Sequence, residues 1–371
     1  MNTRRRVLAA VLCFCVFLGI ARSAEELPAQ LTDEAFWKLV TDFSEPGGAF
    51  VSDNFVSNER HFQQLLPELT RDREPGGVYL GVGPEQNFTY IVALKPKIAF
   101  IFDIRRQNMI LHLMYKALFE LSADRAEFLS RLFSRPRPAN LSEGAGIVEL
   151  FDAFGEIAPA PEAYEENLRD IRDQLIEDHG FELTPEDEAS LGYVFRAFYL
   201  GGPRLVYSRT SVPGVMPTYE ELMTEADAEG RHRSYLATEE NFGAMRRFQT
   251  NNLLVPLVGD FAGPAAVRSV GEYLKEHNTS VAAFYTSNVE QYLFRDESWK
   301  AFYMNVSTLP LESRSVFIRA MVRTGSGEFS PQPLIRPGFS RLETGLFSIT
   351  GLVSAFQADM ITSYYDIVQA R

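Results

Sequence analysis

The chain has almost no cysteine. Its 371 residues include two, Cys13 and Cys15, both inside the apolar run 7–21 near the N-terminus. Beyond that run there is no thiol, which excludes a disulfide framework, a thiol nucleophile and a Cys-ligated zinc or iron–sulfur site. Histidine is also sparse. His61, His112, His179, His232 and His277 show no H-E-x-x-H or comparable spacing, so no metal centre is expected. A G-x-S-x-G nucleophile elbow and a P-loop are both missing, which removes the usual sequence basis for a hydrolase or an NTPase. Cations are in deficit: 36 Lys and Arg against 49 Asp and Glu give a formal net charge of −13. Phosphate backbones and anionic lipid are held by clustered Lys and Arg, and the one such cluster is Arg4-Arg5-Arg6. Neither nucleic acid nor membrane is therefore expected as a partner, an uncleaved N-terminal anchor excepted. A small-molecule ligand is expected instead.

That basic cluster, followed by the apolar run, reads as a secretory signal: too short for a comfortable membrane span and ending in Ala21-Arg22-Ser23, a small-residue cleavage site. The expected organisation is a signal peptide over 1–23 and one α/β domain over 24–371, exported to the periplasm or beyond. Thr3-Arg4-Arg5-Arg6-Val7-Leu8 also resembles a twin-arginine signal. The remainder, 46% hydrophobic and 23% charged over the whole chain, has globular composition.

The most informative stretch is 78–106. Val78, Tyr79, Leu80 and Val82 make a short apolar strand, Gly81 and Gly83 end it in a tight loop, and Glu85, Gln86 and Asn87 lead into a helix. Phe88, Ile91, Val92 and Leu94 give that helix an apolar face. Residues 98–102 form a second, uniformly apolar strand, as parallel strands covered on both faces do, with Asp103 at its tip. Glycines at a strand end let backbone approach a ligand, a helix N-terminus offers free N–H groups, and an acid about 20 residues on can accept from ribose hydroxyls. The same residues also serve an ordinary βαβ turn, with each acid capping a helix. Gln86 stands where a dinucleotide fingerprint has its third glycine, which weighs against NAD.

The unit resembles the first motif of class I S-adenosylmethionine-dependent methyltransferases, on Gly81, Gly83 and Asp103 in a strand–helix–strand context. It departs from that family in having Tyr79 and Leu80 where an acid precedes the glycines. The resemblance implies a Rossmann-like, mostly parallel sheet and S-adenosylmethionine as cofactor. Gly81, Gly83, Glu85, Gln86, Asn87, Asp103 and Arg105 would be its binding residues. Asp260, after a later strand, resembles the family's acidic position at its fourth strand. With Glu290 it would orient the methyl acceptor, catalysis resting mainly on positioning. That cofactor is cytoplasmic, so an exported protein suggests a second reading, an inactive binding or scaffold protein that keeps the fold.

Along the chain, residues 109–132 have the periodicity of one long helix, and 109–250 reads as a helical insertion after the second strand. Thr184-Pro185-Glu186-Asp187 is a helix start. Strands resume at 253–258, near an edge because of Pro256, and at 281–285. Residues 304–306 and 316–321 are expected to be the last strands. Four strand ends are polar, at 81–87, 103–108, Asp260 and 287–290, and in an open sheet such ends converge on a ligand. Ser57, Asn58 and Glu59 read as a capped turn or as a lid over the Gly81 loop. Arg105 and Arg106 suit an anion or the acidic helices, and His112, in an apolar stretch, a core position.

N-terminal sequencing of the protein recovered from the exported fraction should begin at Ala24. Intact Met1 in the cytosol would contradict this.

Overall fold

The computed structural model describes residues 26–142, 144–211, 216–324 and 340–369. Residues 1–23, expected to be a signal peptide, lie outside them.

Six strands form one sheet: β1 (Val78–Val82), β2 (Ile98–Asp103), β3 (Leu254–Val258), β4 (Val281–Ser287), β5 (Leu311–Thr324) and β6 (Ser340–Ser348). Their spatial order is β3-β2-β1-β4-β5-β6. The first five pair in parallel, and β6 runs antiparallel to β5. The protein is thus α/β with a mostly parallel sheet. The four strands expected from 78–82, 98–102, 253–258 and 281–285 all lie in it. Every residue of β2 and β3 is buried, which is why their sequences are apolar without alternation. β3 is an edge strand, paired only to β2, with Pro256 opposite Ile101. An edge tolerates the missing N–H that a central strand would not.

Between β2 and β3 the chain runs through helices from Arg106 to Thr250. Residues 109–132 are not one helix. Arg106–Leu121 ends at extended Ser122, and a second helix, Arg125–Phe133, starts where Asp124 accepts from the Glu127 N–H at 2.8 Å. The apolar period survives the break, but an aspartate offered as a cap wins locally. Residues 304–306 are likewise helical, the end of Trp299–Val306, whereas the strand expected at 316–321 lies within β5, and β6 follows it. The Thr184 start is realised as a reciprocal cap with Asp187. Arg106 then holds Asp187 through two bonds of 2.6 and 2.7 Å, so this cation serves the insertion. No helix among the described residues is long and apolar enough to cross a membrane.

The strand order reverses between β1 and β4, which leaves β1 and β2 feeding one side and β4 and β5 the other. The carboxyl ends of β1, β2, β3 and β4 lie along one edge of the sheet, and a crevice opens there.

The N-terminal helix Asp33–Phe43 is clamped to the insertion by His179. Its Nδ1 lies 2.8 Å from Asp33 and its Nε2 2.7 Å from Glu120, whose other oxygen accepts from Lys116 at 2.6 Å. Burial alone would lower the His179 pKa, but the bonds and charge of Glu120, joined by Asp33, outweigh it and hold it above the usual 6.5. A raised folded-state pKa gives stability that is full below 6.5 and lost as pH rises through the folded value. Urea unfolding should therefore show resistance falling as pH climbs above 6.5, and His179→Gln should flatten that part of the profile.

Candidate functional site

The crevice is a cleft of about 590 Å³, within the ordinary range for small-molecule sites. Its walls come from all four strand ends: Val82, Gly83 and Pro84 after β1, Asp103 to Arg105 after β2, Gly259 to Phe261 after β3, and Tyr285, Ser287 and Asn288 from β4. A strap from the N-terminal segment closes one side. It is stitched on by Glu45 N–H to Val258 O (2.8 Å) and Gly48 N–H to Ile104 O (2.6 Å). Phe50 on the strap meets Tyr292 edge-on at 5.4 Å. Ser57 and Asn58 also line the cleft.

The β1 turn is built by Asn87. Its side-chain amide donates to the carbonyls of Val82 (2.9 Å), Gly83 (3.2 Å) and Pro84 (2.7 Å), and its oxygen accepts from the Tyr79 hydroxyl (2.8 Å). A Cβ on Gly81 would overlap that Asn87 oxygen and press on the Tyr79 ring. Gly81 is therefore required by the fold of the turn and does not line the cleft. Gly83 does line it. Its φ of +74° favours glycine, and a Cβ there would meet nothing within 4 Å.

Glu85, Gln86 and Asn87 all point away from the cleft and are buried. Glu85 accepts from the Ser57 N–H at 3.2 Å, while its other oxygen has no partner. Burial pushes its pKa up to about 8. Gln86 donates to Glu59 (3.0 Å) and Tyr90 (2.9 Å) and accepts from Ser57. This places three of the expected cofactor contacts in the scaffold behind the turn. The reason is helical geometry: residues 85–87 open the helix Gln86–Leu94, and their side chains turn inward.

Asp103 and Arg105 are both on the cleft wall and bonded to each other. Arg105 Nε (2.9 Å) and backbone N–H (2.9 Å) donate to Asp103 Oδ1, and Nη2 (2.6 Å) to Oδ2. Arg105 also donates to the strap at the Ser52 carbonyl (3.4 Å) and the Asp53 carbonyl. Oδ2 accepts only the Nη2 bond among the described residues, fewer than its two lone pairs allow. Asp260 sits exposed at the cleft mouth, accepting from the Ala262 N–H at 2.8 Å. Among the described residues it has no cation partner, whereas the other cleft charges pair off as Asp103–Arg105 and Asp296–Arg295.

The structure does not bring Glu290 to the cleft. It is buried in the first turn of the helix Val289–Arg295, bonded to Arg319 Nε (2.5 Å) and to the Tyr303 hydroxyl (2.5 Å). An acid at the start of that helix had no local sign that an arginine on β5 would claim it. His112 is a core histidine facing the Gly83 carbonyl at 2.8 Å, its pKa lowered by burial to about 4. Phe50, Tyr207 and Tyr292 of the cleft wall carry no motif; only folding collects them. No group of three or more His, Cys, Asp or Glu suited to a metal occurs among the described residues.

Gly81→Ala should destabilise the protein by about 1–3 kcal/mol through overpacking against Asn87. Gly192→Ala, in a helix interior with nothing within 4 Å, should be neutral or stabilising by roughly 0.5–1 kcal/mol. Chemical denaturation of the two variants checks the contrast.

No curated protein matches the chain. A family model described as a domain of unknown function, DUF7790, matches residues 54–333, a span that includes every strand end lining the cleft; the chain belongs to that family.

Proposed function

We propose that the cleft binds an adenosine-containing small molecule and that the protein is a methyltransferase-like, S-adenosylmethionine-binding protein. The observation that carries this is the cleft itself, open at the β1/β4 reversal and lined by Gly83 and Asp103. The order β3-β2-β1-β4-β5 has the same reversal as a doubly wound nucleotide-binding sheet, which supports a Rossmann-like reading; the antiparallel β6 departs from an all-parallel one. Asp260 leaves the cleft with surplus negative charge, which suits a cationic sulfonium. In this reading Gly83 admits the ligand close to the backbone, Asp103 Oδ2 takes one ribose hydroxyl, and Phe50 and Tyr292 offer ring surface. S-Adenosylmethionine would supply an already activated methyl group, so the residues would act by positioning.

The second reading is an exported binding protein without turnover. Arg105 favours it, because most of the Asp103 acceptor capacity is already used.

Titration calorimetry of the mature protein with S-adenosylmethionine, S-adenosylhomocysteine and NAD tests the proposal. Heat is expected with the first two and not with NAD. A charge-assisted bond contributes about 1.5–3 kcal/mol, so Asp103→Ala should weaken binding about 10-fold or more, while the surface change Asp173→Ala should not. No heat from folded protein with any of the three would remove the adenosine claim.

A further inference from the structure

Behind the cleft wall lies a carboxyl group that the adenosine reading leaves without a task. Glu59 is fully buried. Its Oε1 accepts from the Tyr285 hydroxyl (2.7 Å) and Ser287 Oγ (2.5 Å), and its Oε2 from Gln86 Nε2 (3.0 Å) and Thr344 Oγ1 (3.3 Å). An ionised carboxylate offers about four lone-pair positions, and four donors fill them. The surroundings are thus shaped for the anion, yet no cation pairs with it among the described residues. The titratable groups that face it are the phenols Tyr79, Tyr90 and Tyr285. Burial pushes its pKa up against the pull of its four donors, which makes it a stronger base than an exposed carboxylate.

Two of the four donors, Tyr285 and Ser287, also line the cleft. Ser287 is the last residue of β4, at the strand reversal, with φ at +51°. Left-handed backbone is unusual for serine and persists where the surroundings enforce it. Here it accompanies a cleft-lining residue whose hydroxyl touches the buried carboxylate.

We propose that Ser287 and Glu59 form a proton-accepting pair serving a cleft ligand that carries an ionisable hydroxyl, of which a phenol is the simplest case. Ser287 is the residue that touches the ligand, and Glu59 is the positioning residue that holds the proton behind it. The ligand O–H bond breaks and its electron pair stays on oxygen. The proton passes to Ser287 Oγ as the serine's own proton passes to Glu59 Oε1, leaving a neutral carboxylic acid and an intact serine. This rests on the cleft being a ligand site and deepens the methyl-transfer reading by naming its acceptor class. S-Adenosylmethionine, when bound, would supply the methyl group to that oxygen anion and keep the C–S electron pair as the neutral thioether; Glu59 would then return its proton to solvent.

The pair is tested without methyl transfer, using 4-nitrophenol, whose phenolate is yellow, at a pH where the free probe is mainly protonated. Binding to the full mature protein should produce the phenolate band. Glu59→Gln and Ser287→Ala should bind the probe without the band, and Ser287→Thr should restore it, which a merely structural role would not predict. If Glu59→Gln does not fold, Ser287→Ala decides. Failure of the folded wild type to bind the probe, absence of the band, or a band unchanged in Ser287→Ala would overturn the proposal. S-Adenosylhomocysteine is titrated in parallel. Heat without phenolate sinks the pair alone; phenolate without heat sinks the adenosine reading and leaves the pair standing.

Discussion

The cleft depends on one side chain, Asn87. Its amide closes the β1 turn onto three successive carbonyls, and its oxygen is held by Tyr79. Those carbonyls lie at the end of a parallel strand, where the ladder stops and backbone groups need new partners. Serving them from one buried amide, with Asn108 and His112 also at the Gly83 carbonyl, lets the turn stay tight. Gly81 and Gly83 then have different reasons to be glycine: the first makes room for Asn87, and the second adopts a positive φ beside open space.

Around this turn, arginines hold the layers in register, Arg105 and Arg319 from buried positions and Arg106 from an exposed one. Arg105 spans from Asp103 to the strap, Arg106 from the β2 end to the insertion, and Arg319 from β5 to Glu290 and the Ile367 carbonyl. Each guanidinium has several donors in a fixed fork, so one residue can tie two elements at once. Losing one partner of a buried pair such as Glu290–Arg319 leaves an uncompensated charge, typically about 3–5 kcal/mol. These arginines are better understood as fasteners of a cleft than as its anion-binding groups.

The helical insertion covers the sheet face through Arg106–Leu121, which packs on β2 and β3. Its interior is aromatic: Phe88 of the first βα unit meets Tyr115, Phe119 and Tyr235 edge to face, at 5.1 to 5.7 Å. Such contacts add about 0.5–1.5 kcal/mol each beyond burial. The insertion and the first βα unit therefore share one core, and Glu85 is buried between them.

Local chemistry determined a good deal by itself. Apolar runs bounded by glycine and proline located β1 to β4, Pro256 placed β3 at an edge, and Thr184 with Asp187 marked a helix start. Each signal is short-range, acting through backbone conformation or through burial of consecutive residues. Asp103, Gly83 and Asp260 were legible as cleft residues because strand ends of a parallel sheet necessarily gather on one side. Local contacts turned Asp103 to Arg105, two residues on, and Asn87 to the turn before it. Tertiary contacts alone decided that Glu290 went to Arg319 and that Glu85 and Gln86 went to Ser57 and Glu59. Glu59 met Tyr285 and Ser287 across more than two hundred residues of chain. A buried carboxyl needs donors wherever the fold can bring them, and those donors leave no trace in the residues next to it.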